Sequence, residues 1–248
     1  AKEFLSNQHK KTDNLQLYNL GYSQGGISSL AVARYIQENN LQSEFKLANT
    51  FCGAGPHSIK AMQQNFIKEG TMDYPVVYPL VIIGMKKAFP DILTNKLEDY
   101  FAPEAVEAKI IEKVKAKDEF IFLLNDDIIE ALVDGSGEGS LDISKIMNEE
   151  VITPGAEPYN QTLAAAEICE MASGWKPESH IHFVHGRNDD IVPYFNFELA
   201  EKGLKNEKTF FETYELLYGH AANAGLFFMW SFLGEYKKIY DSDGNLLN

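Results

Sequence analysis

The chain has 248 residues, 45% hydrophobic and 23% charged, an ordinary globular balance that excludes a disordered or low-complexity protein. Thirty-six acidic residues against 22 basic ones give a net charge of −14, and such a surface repels phosphate backbones and anionic head groups, which argues against nucleic acid as a partner. No stretch approaches the roughly 20 apolar residues of a bilayer span. The two cysteines, Cys52 and Cys169, allow one bridge at most and identify no compartment.

The chain opens on Ala1-Lys2-Glu3-Phe4-Leu5, without an initiator Met or a signal-peptide pattern, and residues 1–12 read as a helix already under way. The expectation is that a segment upstream has been cut away or left out. Residues 15–20 alternate as a strand does, Gly21-Tyr22-Ser23-Gln24-Gly25-Gly26 follows, and Ile27, Leu30, Ala31 and Tyr35 recur at helical spacing up to Asn39-Asn40. Residues 45–51 read as a second strand closed by Gly53 and Gly55-Pro56. The first third is therefore strand, helix, strand, with a crossover of parallel-sheet length. From about 56 to 175 amphipathic helical stretches dominate (58–69, 103–117, 125–133, 158–172), broken by Pro75, Pro79, Pro90, Pro103 and the Gly135–Gly139 loop, with no strand alternation. Strand character returns at 180–184. A short helix is expected over 196–205, a last strand over 208–217 and a last helix over 221–238. The predicted organisation is a core over 1–55, a helical insertion over 56–175 and a second core segment over 176–248.

Gly21-x-Ser23-x-Gly25 between a strand and a helix is the context that makes a five-residue pattern a nucleophile elbow. A tight turn would lift the Ser23 hydroxyl above the sheet, with glycines where side chains would strike backbone. The Gln24 N–H, at the positive end of the next helix, would point at an oxyanion. Tyr22, beside the nucleophile, is the candidate substrate-binding residue. A serine needs a base. Of six histidines, His9 reads as solvated, His57 borders the second strand, and His180, His182 and His185 read as core or sheet-edge residues. His220, in Tyr218-Gly219-His220-Ala221 between the last strand and the last helix, is the candidate base. The run His185-Gly186-Arg187-Asn188-Asp189-Asp190-Ile191-Val192-Pro193 supplies the acid, with Asp189 orienting the imidazole and Asp190 its competitor.

These three segments resemble the α/β-hydrolase superfamily: the elbow, the run His-Gly-x-x-Asp189-x-x-Val192-Pro193, which selects Asp189, and Gly219-His220. Cys52-Gly53-Ala54-Gly55-Pro56 and the Tyr-Pro-rich stretch 74–80 look most like secretory-lipase-type esterases. The resemblance implies an α/β fold with a mostly parallel sheet flanked by helices and a helical cap inserted between strands. It implies a serine esterase working through an acyl-enzyme on a small ester or lipid-like substrate, without cofactor or metal, and an exported protein. Only about 20 residues precede Ser23, where the superfamily has several strands and the second oxyanion donor. The resemblance thus covers the C-terminal part of a complete hydrolase.

Tyr74, Tyr78, Phe89, Tyr100 and Phe101, with the Val76–Ile83 stretch, either line an acyl pocket or pack the cap's own core. A peptidase on the same fold would need a carboxylate pair gripping an amine, and Asp126-Asp127 and Glu149-Glu150 are not fixed in a site by the sequence. A metal hydrolase built on His180, His182 and His185 is opposed by strand alternation, which puts His185 on the other face. An inert binding protein would not need all of Ser23, Asp189 and His220. Asp241-Ser-Asp243-Gly-Asn245 reads as a turn rather than a calcium loop. The sequence carries no signal for oligomeric state.

Overall fold

The computed structural model describes residues 15–116, 121–133, 140–214, 219–233 and 238–247. The helix expected over 1–12, the Gly135–Gly139 loop and Tyr218 lie outside them. The chain divides into two compact units, Ala1–His57 with Met171–Asn248, and Ser58–Glu170.

The first unit begins with β1 (Leu17–Tyr22), α1 (Gln24–Glu38), the single turn α2 (Gln42–Phe45) and β2 (Leu47–Gly53). β1 extends two residues beyond the predicted strand and runs straight into Ser23. The start predicted for β2 at residue 45 is taken instead by α2, which ends on Lys46 in a left-handed conformation (φ 48°).

In the second unit come α3 (Ile59–Glu69), β3 (Thr71–Met72), α4 (Val77–Ala88), α5 (Pro103–Glu107), α6 (Ile110–Ala116), α7 (Ile121–Leu132), β4 (Leu141–Asp142), α8 (Glu149–Ile152) and α9 (Glu157–Ile168). α4 forms where prolines promised an interruption, because Pro79 falls in its first turn, where no intrahelical acceptor awaits its nitrogen. The single helix predicted over 103–117 is two, parted at Lys109 (φ 56°). The unit also holds one antiparallel strand pair, β3 with β4, two residues each, too short to show alternation. Its core is Tyr78, Ile82, Leu93, Tyr100, Phe101, Ile110, Ile128, Leu141 and Ile146 with their neighbours, and Val81, Ile83 and Phe89 pack against it. Most of the aromatic and aliphatic residues that could have lined a pocket are thus spent on the unit's own interior. Leu80, 39% exposed, is an exception.

The first unit resumes with β5 (His180–Gly186), α10 (Phe195–Leu204), β6 (Thr209–Tyr214) and α11 (Gly219–Leu233). The four strands form one sheet in the order β1-β2-β5-β6, every pair parallel. β2, fully buried, is an inner strand covered on both faces, which is why it reads as a nearly continuous apolar run. On one face Leu30, Ala33 and Ile36 of α1 meet Cys52, Ile181, Phe183 and, from α10, Phe197, Ala200 and Leu204. On the other, Phe51 and Val184 pack with Phe227 of α11. Successive residues such as Phe51 and Cys52 go to opposite faces, as a strand requires. The register pairs Tyr22 with Gly53, Gly53 with Val184 and Gly186 with Tyr214, so the C-terminal ends of the strands lie along one sheet edge.

Candidate functional site

That edge carries all three predicted residues. Ser23 follows β1 at once, with φ 59° and ψ −123°, a backbone conformation that a residue with a side chain holds only when its surroundings enforce it, at about 1–3 kcal/mol. The enforcement is visible. The Ser23 N–H donates to the Gly53 carbonyl at 2.8 Å, and its own carbonyl receives the Gly26 N–H at 2.8 Å. A Cβ on Gly21 would collide with the Gly25 carbonyl, and one on Gly26 would stand 2.5 Å from the Gly53 oxygen. Gly25 is different from its expected role, since a Cβ there meets nothing within 4 Å. The steric demand falls on Gly21 and Gly26. Gly55 is small for the same reason, since a Cβ there would lie 2.8 Å from the Ile27 nitrogen, whereas a Cβ on Gly53 would strike the rings of Tyr22 and Phe227. Gln24 opens α1, so its N–H belongs to the turn whose amides lack intrahelical acceptors.

After β5, Asp189 closes the acid loop on itself. Its Oδ1 accepts the N–H groups of Ile191 (3.0 Å) and Val192 (2.8 Å), and the carboxylate is wholly buried. Its Oδ2 lies 2.7 Å from His220 Nδ1 and 3.5 Å from His185 Nε2. His185 in turn places Nε2 2.9 Å from the Val192 carbonyl, tying strand to loop, which is more than the core residue the sequence suggested. Asp190 reaches a different atom, the His220 backbone N–H, at 2.7 Å. The two carboxylates therefore divide one histidine between side chain and main chain.

His220 was expected in a loop, but it sits in the first turn of α11 and is 6% exposed. With Nδ1 on Asp189, its Nε2 is buried and has no hydrogen-bond partner among the described residues. Tyr22 donates its hydroxyl to the His220 carbonyl at 2.8 Å, and the two rings lie 4.9 Å apart. The hydroxyl of the candidate substrate-binding residue is thus engaged within the protein. Burial and the nearby charges of Asp189 and Asp190 raise its pKa, which keeps it a donor.

The remaining histidines do not converge. His180 stacks on Tyr240, His182 stacks on Phe51, and His185 meets Tyr194 and Phe197 edge-on. Among the described residues no group of three or more His, Cys, Asp or Glu side chains could hold a metal ion. Burial pushes both His57 and His182 down to about 3, with the neighbouring imidazoles His185 and His180 adding to the effect. The Asp241 carboxylate is used up by the N–H groups of Asp243 and Asn245, as in a plain turn. Among the described residues no helix is long and apolar enough to cross a membrane.

No family model matches the chain, and no curated protein does. Solved structures do. A rice cell wall degrading esterase, LipA from Xanthomonas oryzae, superposes with a TM-score of 0.70 at 16% identity, covering 95% of this chain and 62% of its own. Lipase A of Candida antarctica in its closed state gives 0.59 at 16% identity, covering 97% of this chain and 54% of its own. The chain thus spans between about half and three fifths of the length of these structures. The fold they share with it is of the α/β-hydrolase type.

Proposed function

We propose that the protein is a serine hydrolase of carboxylic esters. Ser23 attacks the ester carbonyl, and His220 Nε2 takes its proton and returns it to the leaving alkoxide. Asp189 holds His220 in the tautomer that leaves Nε2 free to accept, and stabilises the imidazolium that forms. The Gln24 N–H stabilises the tetrahedral oxyanion. Water then hydrolyses the acyl-enzyme by the same proton path. The observation that carries this reading is His220, held through Nδ1 by a buried carboxylate with Nε2 unpartnered and its ring against Tyr22, the residue preceding a strained serine. The esterase and lipase named above, alike in fold, support the ester class. The reading extends to a small ester or lipid-like substrate and to an exported location.

The test is intact-mass spectrometry with a fluorophosphonate probe, which needs no knowledge of the substrate. One adduct at Ser23, absent in Ser23→Ala and strongly slowed but still measurable in His220→Ala, is expected, together with faster turnover of short acyl esters than of aminoacyl amides. An unlabelled Ser23 in the folded chain refutes the reading.

A further inference from the structure

We propose that Tyr22 and Asp190 brace the backbone of His220 from two sides and are positioning residues for the triad, so that neither touches substrate while both set the rate at which His220 works. The proposal rests on the hydrolase reading above. Three consecutive main-chain groups are gripped by side chains: the Gly219 carbonyl by Asn223 Nδ2 (2.9 Å), the His220 N–H by Asp190 Oδ1 (2.7 Å), and the His220 carbonyl by the Tyr22 hydroxyl (2.8 Å). The first two hold both ends of a single peptide plane.

The helix by itself does not ask for all of this. An amide in a first turn needs some acceptor, and water would serve. A helix carbonyl is already served by the amide four residues on, so the Tyr22 bond is additional. What the brace supplies is location. Tyr22 ends β1 and immediately precedes Ser23, while Asp190 immediately follows Asp189. Each hold on His220 therefore comes from the neighbour of one of its two chemical partners, so that one hydrogen bond and one step of backbone link His220 to each of them. Two glycines bear the marks of this arrangement. Gly219 has φ 83°, and a Cβ there would lie 2.7 Å from Asp190 Oδ1, in the space the carboxylate occupies. A Cβ on Gly186 would collide with the Asn223 amide. A displacement of about 1 Å between a base and its nucleophile can cost on the order of a hundredfold in rate, so a brace of this kind acts on kcat rather than on binding.

The test compares Tyr22→Phe, which keeps the ring, with Asp190→Ala and Asp190→Asn, each in the wild-type chain and in His220→Ala. The readout is the rate constant of fluorophosphonate labelling. The loss of one such hydrogen bond should slow labelling about five- to thirtyfold in Tyr22→Phe and Asp190→Ala. Asp190→Asn, whose amide oxygen can still accept, should recover most of that loss. On the His220→Ala background none of the three should matter, because a positioning residue has nothing left to position. Equal slowing on both backgrounds would reduce the contacts to fold maintenance and overturn the proposal, and so would labelling within about twofold of wild type in both variants. A second readout is independent of turnover. The proton on His220 Nδ1, assigned by its disappearance in His220→Ala, should exchange with water faster in Tyr22→Phe and Asp190→Ala than in wild type. If the wild-type chain takes no label, the hydrolase reading fails, and this exchange rate alone decides whether the brace exists.

Discussion

The first unit buries Asn49, Thr50, His57, His182, His185, Asn196, His220 and Asn223, whereas Ser58, Asn125 and Thr162 are the buried polar residues described in the second. In the second unit those three are tied to partners within the unit, as when Asn125 accepts the Val76 N–H and Thr162 receives Gln63, and most of the rest of the interior is apolar. An interior of that kind is held by volume, and tolerates exchange of one hydrophobe for another of similar size. The interior of the first unit is held by direction. Its imidazoles and amides bond through particular atoms, as His220 Nδ1 does to Asp189 and His185 Nε2 to the Val192 carbonyl, while His57 Nδ1, His185 Nδ1 and Asn223 Oδ1 meet no partner among the described residues, and an unmet buried atom costs about 1–3 kcal/mol. Polar interiors of that kind are worth their instability where geometry to a fraction of an ångström matters, and the sheet edge with Ser23, Asp189 and His220 is such a place.

Asp189→Asn breaks the comparison at its most directional point. The side chain keeps an oxygen for Ile191 and Val192 but turns an N–H toward His220 Nδ1, which forces the imidazole into the tautomer with Nε2 protonated. Labelling of Ser23 and turnover of the best ester should fall by about 10⁴-fold, against the five- to thirtyfold of Asp190→Ala, with little change in melting temperature. If Asp190→Ala proved the more damaging, the acid would be misassigned.

Ile128→Ala probes the other interior. Ile128 is fully buried in the second unit, and its truncation should cost about 2–5 kcal/mol in stability, the upper end applying if the cavity does not collapse. Chemical denaturation measures this directly. The labelling rate of the protein that remains folded should be unchanged. A tenfold drop in labelling without loss of stability would mean that the apolar unit also sets the geometry of the chemistry, and the contrast between the two interiors would fall.

The same contrast explains what the sequence could reveal. The elbow, the acid loop and Gly219-His220 were legible because each is a local pattern at a strand end, and their order Ser, Asp, His survives in one chain. Asp190 and Tyr22 were not legible in their part on His220, since 30 and 198 positions separate them from it. α4 was missed because Pro79 breaks a helix everywhere except in its first turn. Whether Tyr78, Tyr100 and Phe101 line a pocket or pack a core cannot be decided by periodicity, which is the same for both. Gly25 shows a related limit: the pattern Gly-x-Ser-x-Gly marks it, but the crowding falls on Gly21 and Gly26, the latter outside the five-residue pattern.

The smallest expected effect concerns the buried imidazoles that perform no chemistry. His57 and His182 are neutral in the folded chain, with pKa values lowered to about 3 mainly by burial, against about 6.5 when unfolded. Above pH 6.5 neither state binds the proton and stability is unaffected. Between about 6.5 and 3 the unfolded chain takes up protons that the folded one refuses, so stability falls with falling pH, by at most about 1.4 kcal/mol per pH unit for each histidine. Urea midpoints should therefore decline from pH 7 to pH 5, before most carboxylates titrate. His57→Gln, which cannot take a proton, should flatten that decline only in part, because burial also lowers His180, His182 and His185, while leaving Ser23 labelling at pH 8 within about twofold. An unchanged slope would mean that His57 accepts a proton without unfolding, and that the interior beneath the elbow is more open to water than its burial implies.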